Sequence, residues 1–471
     1  MSSPPARSPG LPRSSWVWLL ATAAVVSLAP GRIALTDPDE ARYAEASREM
    51  ARDGDIIVPH FNGEPRLSKP PLIYWTQSAS FVMLGASEIS ARLPSLLAAL
   101  ATLMLVAWWA ERNIGAGSGG PAAAALGVTL LFFACARLAI TDMLLCLCVT
   151  AALLLWHEAI SQTGAARRRL AWAASASIGL AALAKGPVGL ALAGLIILAI
   201  TLLSRGRGMT TWRGMLLAIT GVALVAGPWV AGLAGRIGAG GIVELLRREA
   251  LERSVWGLDH PRPSYYYLLT WWATLFPWSL AAPFIFIKAV KAPRPRDPAT
   301  LFLLCWLIGT LFFFSLPADK NDAYLLPAAP ALALLAVRWL PRRLTLTVST
   351  VMGCALIVAV FVVSNPLSRD RSLKELALSA DLSHRNDDIL ISYRLYRPSL
   401  VFYSGRPVQW VASGKELRRL LAEIPRDAGV TIVMTVQRLE KARADPRLDL
   451  GAFQIAGSQA GYVALVRAPG G

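Results

Sequence analysis

Between Thr36 and Trp75 the chain reads TDPDEARYAEASREMARDGDIIVPHFNGEPRLSKPPLIYW, a dense set of acids and bases lying between two strongly apolar stretches. Asp39 and Glu40 follow Pro38, a residue type suited to the first turn of a helix, and two carboxylates there meet the positive end of the helix dipole. Lys69 stands just before Pro70 and Pro71, which cannot continue a helix and hold the backbone extended. A carboxylate can take a proton from an attacking hydroxyl, and a lysine can hold a phosphate through a charge-assisted hydrogen bond. On composition alone the same loop also reads as a solvated amphipathic helix followed by a turn.

Three further ionisable residues, Asp142, Lys185 and Lys320, stand at the ends of apolar runs. A charged residue in such a place ordinarily caps the helix or snorkels to the interface. Their position on the face that carries Asp39 and Lys69 argues instead for a shared cavity, and carboxylates with lysines at a membrane face suit a lipid phosphate as substrate.

The elements that must position these groups are membrane spans. The 471 residues are 55% hydrophobic and 16% charged, with mean hydropathy +0.48, whereas soluble domains carry roughly 25% charge. The net charge of +17 does not point to nucleic acid, because the basic residues sit in short clusters between apolar runs, as topology signals do. Residues 1–13 read as a disordered cytoplasmic tail, and the first span, from Trp16 to about Pro30, as an uncleaved one although a signal peptide would look similar. Further spans are expected near 90–110, 121–140, 142–160, 170–185, 187–204, 212–234, 264–288, 299–316, 323–340 and 344–364, about eleven in all at roughly 20 residues per crossing. TQSASFVMLGA, after Trp75, is apolar but short and is expected along the interface. With the N-terminus inside, nearly every Arg and Lys cluster falls on the cytoplasmic side. The opposite junctions then hold the Asp39 loop, Asp142, Lys185, a loop over 235–263 and Asp319-Lys320-Asn321-Asp322.

The expected fold is therefore mainly α: a tail (1–13), a transmembrane domain (14–364) whose first outer loop is 32–75, and a small outer α/β domain (365–471). In the last, DDILISY, SLVFYSG, TIVMTV and YVALVRA read as strands and KELRRLLAEI as an amphipathic helix. The five cysteines fall inside apolar runs and read as small core residues. His157 and His384 are placed away from the chemistry. His60 and His260 lie on the outer face, too scattered to argue a metal site, so no metal and no cofactor is expected.

The DPDEARYAEASREM…EPRLSKPPLIYW loop closely resembles the first outer loop of the aminoarabinose-transferase-like branch of the polyprenol-phosphate-sugar glycosyltransferases, which have the GT-C fold and are relatives of protein O-mannosyltransferases. The resemblance continues through ARLPSLLAAL, TDMLL, LAKGPVG, DHPRPSYYYL with FPWS, and DKNDAYLLPAAPALALL, covering roughly 14–340 in matching order. It implies inverting transfer of a sugar from undecaprenyl phosphate, on the periplasmic side of a bacterial inner membrane, to an acceptor that is usually lipid A. By position, Asp39 matches the catalytic carboxylate and Glu40 its neighbour in the motif. Lys69 and Tyr324 match groups that contact the donor phosphate, and Asp142 matches a second carboxylate near the site. Lys185 and Lys320 are expected to line the substrate site from the same face. Arg253, His260 and Arg262 lie in the loop where the family places a further phosphate-binding arginine. The chain departs from the family in having Arg66-Leu67-Ser68 before Lys69, a more polar Lys320–Tyr324 run and a short outer domain, which leaves sugar and acceptor unassigned.

Three other readings fit the same features. A transporter or flippase for a lipid-linked sugar would line its path with polar groups at span ends, but would show a midplane site, broken helices and often paired repeats. A protein O-glycosyltransferase or a non-catalytic envelope scaffold would keep the fold and change the acceptor or lose the chemistry.

Overall fold

In the computed structural model, residues 10–203, 212–252, 261–291, 297–385, 388–425 and 427–467 are described. The fold is mainly helical with one small sheet domain. Helices α1 (Arg13–Val26), α2 (Asp39–Asp53), α3 (Leu72–Leu84), α4 (Glu88–Asn113), α5 (Gly119–Gly127), α6 (Leu130–Cys135), α7 (Thr141–Ile160), α8 (Gly164–Lys185) and α9 (Pro187–Leu203) make up the first half. Then come α10 (Trp212–Leu246), a π-helical turn at Arg247–Glu252, α11 (Tyr266–Thr274), α12 (Trp278–Lys291) and α13 (Pro298–Ser315). A 3-10 segment at Asp322–Ala328, α14 (Ala329–Trp339) and α15 (Arg342–Arg371) complete the helical part.

Among the described residues five helices are long and apolar enough to cross a membrane, and six if the bent pair α11 and α12 is one span. This is fewer than about eleven, and local chemistry explains the difference. The stretch expected to cross at 121–140 breaks between α5 and α6 at Val128 and Thr129, where the Thr129 backbone is extended. The stretch at 323–340 begins as a 3-10 turn, with Pro327 and Pro330 removing donors that a regular helix would use. Helix α8 carries Arg167, Arg168 and Arg169 in its first turns, and α1 and α9 are short. The loop expected at 235–263 is in part helix: α10 bends at Gly238, whose φ of 72° only glycine adopts readily, and then runs on.

The outer loop folds as its sequence predicts. Asp39 and Glu40 open α2, and Gly54, at φ 74°, closes it while donating to the Met50 carbonyl. Ala41, Ala44 and Ala46 are buried, and the small side chains let α3 approach closely. Ser47 Oγ donates to Gln77 Oε1 at 2.7 Å, and Ser78 Oγ donates to the Ser47 carbonyl at 2.7 Å. Helix α3 starts directly after Pro71 and buries Ile73 and Tyr74 while leaving Val82, Met83 and Leu84 exposed. A hairpin of β1 (His60–Phe61) and β2 (Glu64–Pro65) turns at Asn62-Gly63, both with positive φ.

The C-terminal domain holds β3 (Ile389–Tyr393), β4 (Gln409–Val411), β5 (Val430–Thr435), β6 (Gln454–Gln459) and β7 (Tyr462–Arg467) in the order β4-β3-β5-β7-β6. Strands β4, β3 and β5 run parallel, β7 pairs antiparallel with β5, and β6 pairs antiparallel with β7. Helix α16 (Lys374–Ser379) precedes β3, and α17 (Pro398–Ser404), α18 (Gly414–Glu423) and α19 (Val436–Arg443) connect successive strands from β3 to β6. The expected strand SLVFYSG is instead α17: Pro398 starts it at the first helical position and Gly405, at φ 72°, ends it. Strands β4 and β6, too polar to stand out, complete the sheet.

Helix α17 packs on α2 and ties the domain to the first outer loop. Asp37 accepts from the Ser399 backbone amide at 2.7 Å and from Ser399 Oγ at 2.5 Å, and lies 3.8 Å from Arg397. Arg48 donates to the carbonyls of Phe402 and Val401, and Asn62 exchanges two hydrogen bonds with the Val408 backbone. Burial outweighs the help of Ser399, Arg397 and Arg42 and pushes the Asp37 carboxyl up to about 6. A carboxyl whose folded value is raised binds its proton more tightly when folded, so this contact destabilises the fold as pH rises from about 4 to about 6. Asp37→Asn is expected to flatten the pH dependence of the melting temperature in that window, and an unchanged pH profile would refute the assignment.

Candidate active site

Two helix ends meet to form the inner part of the site. Asp142 stands in the first turn of α7, and Lys185 is the last residue of α8, closed by Gly186 at φ 63°. Each charge suits the dipole at its own helix end. Lys185 Nζ donates to Asp142 Oδ1 at 2.6 Å and lies 4.0 Å from the centre of the Tyr324 ring. Tyr324 is held in place by the 3-10 segment, whose cap Asn321 accepts from the Ala323 amide and whose backbone exchanges hydrogen bonds with Tyr267. Tyr266 donates to Asp322 at 3.0 Å, and the Arg262 amide donates to the Ala318 carbonyl. The SYYY and DKNDAY stretches, 54 residues apart at Tyr267 and Asn321, thus brace one another.

Lys69, Lys185 and Tyr324 line one cavity of about 320 Å³. Its other walls are largely apolar, among them Trp229, Leu245 and Phe313. Lys69 lies 3.8 Å from Glu249, which comes from the π-helical turn and also lines the cavity. Asp319 lines it as well, and two lysines in a largely apolar hollow suit an anionic group carried on a hydrocarbon.

The remaining expected site residues are divided. Asp39 does not line this cavity; it stands at the start of α2, 52% exposed, with Arg42 at 2.6 Å. Tyr43 is buried with its ring centre 5.9 Å from that of Tyr74, and its phenol is raised by desolvation first, then by Tyr74 and the nearby carboxylates. Arg66 donates to the Tyr74 hydroxyl and its guanidinium lies 5.5 Å from the Tyr43 ring. Glu40, one residue on, points the other way. It is fully buried and accepts from Arg92 Nε and Nη2 at 2.8 and 2.9 Å, from the Ala139 amide at 2.8 Å and from Thr36 at 2.8 and 3.0 Å. Desolvation alone would raise its carboxyl, but Arg92 and these donors hold it below the usual carboxylate range. The geometry gives Glu40 an anchoring place rather than one facing a substrate.

Lys320 is buried, does not itself line the cavity and donates to the carbonyls of Arg262 and of Pro317, a lining residue; burial lowers its ammonium. Arg262 is exposed, 5.6 Å from the Tyr266 ring. Arg253 and His260 lie outside the described residues. Residues not singled out from sequence are Arg92, Glu249, Arg42 and Tyr43. Of these only Arg92 had a signal, as a lone arginine at the head of an apolar helix.

The family model described as dolichyl-phosphate-mannose-protein mannosyltransferase matches residues 33–236. An undecaprenyl phosphate-alpha-4-amino-4-deoxy-L-arabinose arabinosyl transferase of Pectobacterium carotovorum is 31% identical over 317 residues, 65% of this chain and 55% of that protein. One from Enterobacter sp. is 30% identical, over 69% of this chain and 61% of its own length. The match thus spans little more than half of these relatives. The structure of ArnT from Cupriavidus metallidurans bound to undecaprenyl phosphate superposes with a TM-score of 0.75 over 97% of this chain and 99% of that one, at 21% identity. The chain has the GT-C fold of this ArnT. The apo ArnT structure agrees, with a TM-score of 0.77 at 20% identity. The hydropathy of the chain and its five long apolar helices among the described residues mark it as a membrane protein.

Proposed function

We propose that the chain is a membrane glycosyltransferase that moves a sugar from an undecaprenyl-phosphate donor to an envelope acceptor, lipid A or another lipid or a protein, on the periplasmic face of a bacterial inner membrane. The observation that carries this reading is the largely apolar cavity that Lys69, Lys185 and Tyr324 line together. It fits a phosphate on a polyprenyl chain, and similarity to arabinosyl transferases supports the same donor class.

In this reading Lys69 holds the donor phosphate, while Asp142 fixes the Lys185 ammonium against Tyr324 in the lining of the same cavity. The acceptor hydroxyl attacks the anomeric carbon from the face opposite the phosphate. A bond from the acceptor oxygen to that carbon forms, the bond from the carbon to the phosphate oxygen breaks, and the electron pair leaves with polyprenyl phosphate. Asp39 takes the hydroxyl proton. A single displacement inverts the anomeric centre. Lys69 neutralises charge that grows on the leaving phosphate, so its contribution is largest in the transition state.

Losing one charge-assisted hydrogen bond costs about 1.5–3 kcal/mol. Lys69→Ala is therefore expected to lower kcat/KM for a polyprenyl-phosphate sugar by roughly 10- to 150-fold, and Lys69→Arg to keep part of it. Steady-state kinetics with purified protein checks this, and full activity in Lys69→Ala would sink the phosphate assignment. Translocation of the lipid-linked sugar in vesicles without any transfer would favour a transporter.

A further inference from the structure

The C-terminal domain has a second hollow, of about 210 Å³, between β4 and α18. It is lined by Trp410 together with Gln409, Glu416, Arg419 and Glu423, so one aromatic ring is set among amide, carboxylate and guanidinium groups. Trp410 packs against Tyr396 with ring centroids 4.9 Å apart and an angle of 46°. Tyr396 is 52% exposed. It also lies near enough to Arg42 to interact with it electrostatically, and Arg42 is the residue that holds Asp39 at 2.6 Å. Trp410 and Tyr396 thus lie on the side of the hollow toward Arg42 and Asp39, none of which lines the donor cavity.

The chemistry of this lining is selective. A saccharide ring presents an apolar C–H face and a rim of hydroxyl groups; a flat aromatic surface takes the first, and amides, carboxylates and guanidinium groups take the second. Arg419 pairs with Glu423 at 2.9 Å, and with Glu416 the lining sets one guanidinium against two carboxylates, which disfavours a strongly anionic ligand. We infer that the Tyr396–Trp410 platform and the adjoining hollow bind the saccharide portion of the acceptor and present it to Asp39. Naming the ligand as the acceptor rests on the transferase reading; saccharide binding by the hollow does not.

The test uses full-length protein in lipid nanodiscs, with the N-acetylglucosamine disaccharide as probe and saturation-transfer NMR as readout. The native protein is expected to transfer saturation to the sugar-ring protons, and Trp410→Ala to lose at least about ten-fold of that signal. Asp39→Asn and Lys69→Ala are expected to keep it, which separates this site from the chemistry. Tyr396→Ala, at an exposed position, carries the same test should Trp410→Ala unfold, and it is expected to raise the acceptor KM while leaving the donor KM unchanged. No transfer to the sugar in the native protein, an undiminished signal in both platform variants, or a change in donor KM instead would each overturn the proposal. Saccharide binding that depends on Trp410 in a protein devoid of transferase activity would keep the site and remove only its role as acceptor site.

Discussion

Asp39→Asn is expected to lower sugar transfer by roughly 10²- to 10⁴-fold, the usual contribution of a positioned general base. The fold is expected to survive, because the Asp39 side chain is half exposed and its pairing with Arg42 is a surface ion pair, worth about 0–1 kcal/mol. Asparagine keeps the size and the helix-start preference of aspartate and removes only its ability to accept a proton. In cells making the variant at native abundance, mass spectrometry should find the polyprenyl-linked donor accumulating while one envelope acceptor loses its sugar. The identity of that acceptor would follow directly. An unchanged acceptor would remove Asp39 from the role of base and raise the transporter and scaffold readings.

Arg92→Met should have the largest effect on stability. Arg92 is almost fully buried and spends its guanidinium on Glu40 and on the carbonyls of Pro30, Ile33 and Ala34, at 2.5–3.1 Å. Removing it strands the Glu40 carboxylate and leaves those carbonyls without a partner. Breaking such a buried pair from one side costs about 3–5 kcal/mol, a large part of a typical stability of about 5–15 kcal/mol. The expected result is a protein that melts much earlier and loses activity with Asp39 intact. Restoring most of the stability by combining Arg92→Met with Glu40→Leu would separate the stranded charge from lost packing. A native melting temperature in Arg92→Met alone would show that the pair does not anchor α2.

These two variants also show what the sequence revealed and what it hid. The helix that begins at Asp39 was legible because Pro38 precedes it and two carboxylates open it, and the Lys69 turn because two prolines follow it. The opposite facing of Asp39 and Glu40 follows from about 100° per residue on a helix, but which of the two turns inward depends on Arg92, which lies 52 residues away from Glu40. The approach of Asp142 to Lys185 was legible only as a common outer face, since helix ends meet through packing that no local pattern records. Helices with unbroken apolar runs, such as α4, α7 and α13, were found near their true places. The breaks at Thr129 and Pro327 were missed because hydropathy does not register a lost backbone donor. In the C-terminal domain SLVFYSG has a strand's composition, and Pro398 with Gly405 made it a helix. Glu249 had no signal, since it reaches the cavity from an irregular turn at the end of a bent helix.

The contacts that hold the first outer loop to the C-terminal domain join residues very distant along the chain: 362 positions separate Asp37 from Ser399, and 354 separate Arg48 from Phe402. During synthesis the loop leaves the ribosome long before its partners exist. At about 5–20 residues per second the delay is on the order of 20–70 seconds, during which α2 has nothing against which to set Arg48 or Asp37. The Asp39 region can take its final shape only when the last quarter of the chain has emerged and folded. The order of the genetic message thus withholds a finished site from the growing membrane protein until its outer domain arrives.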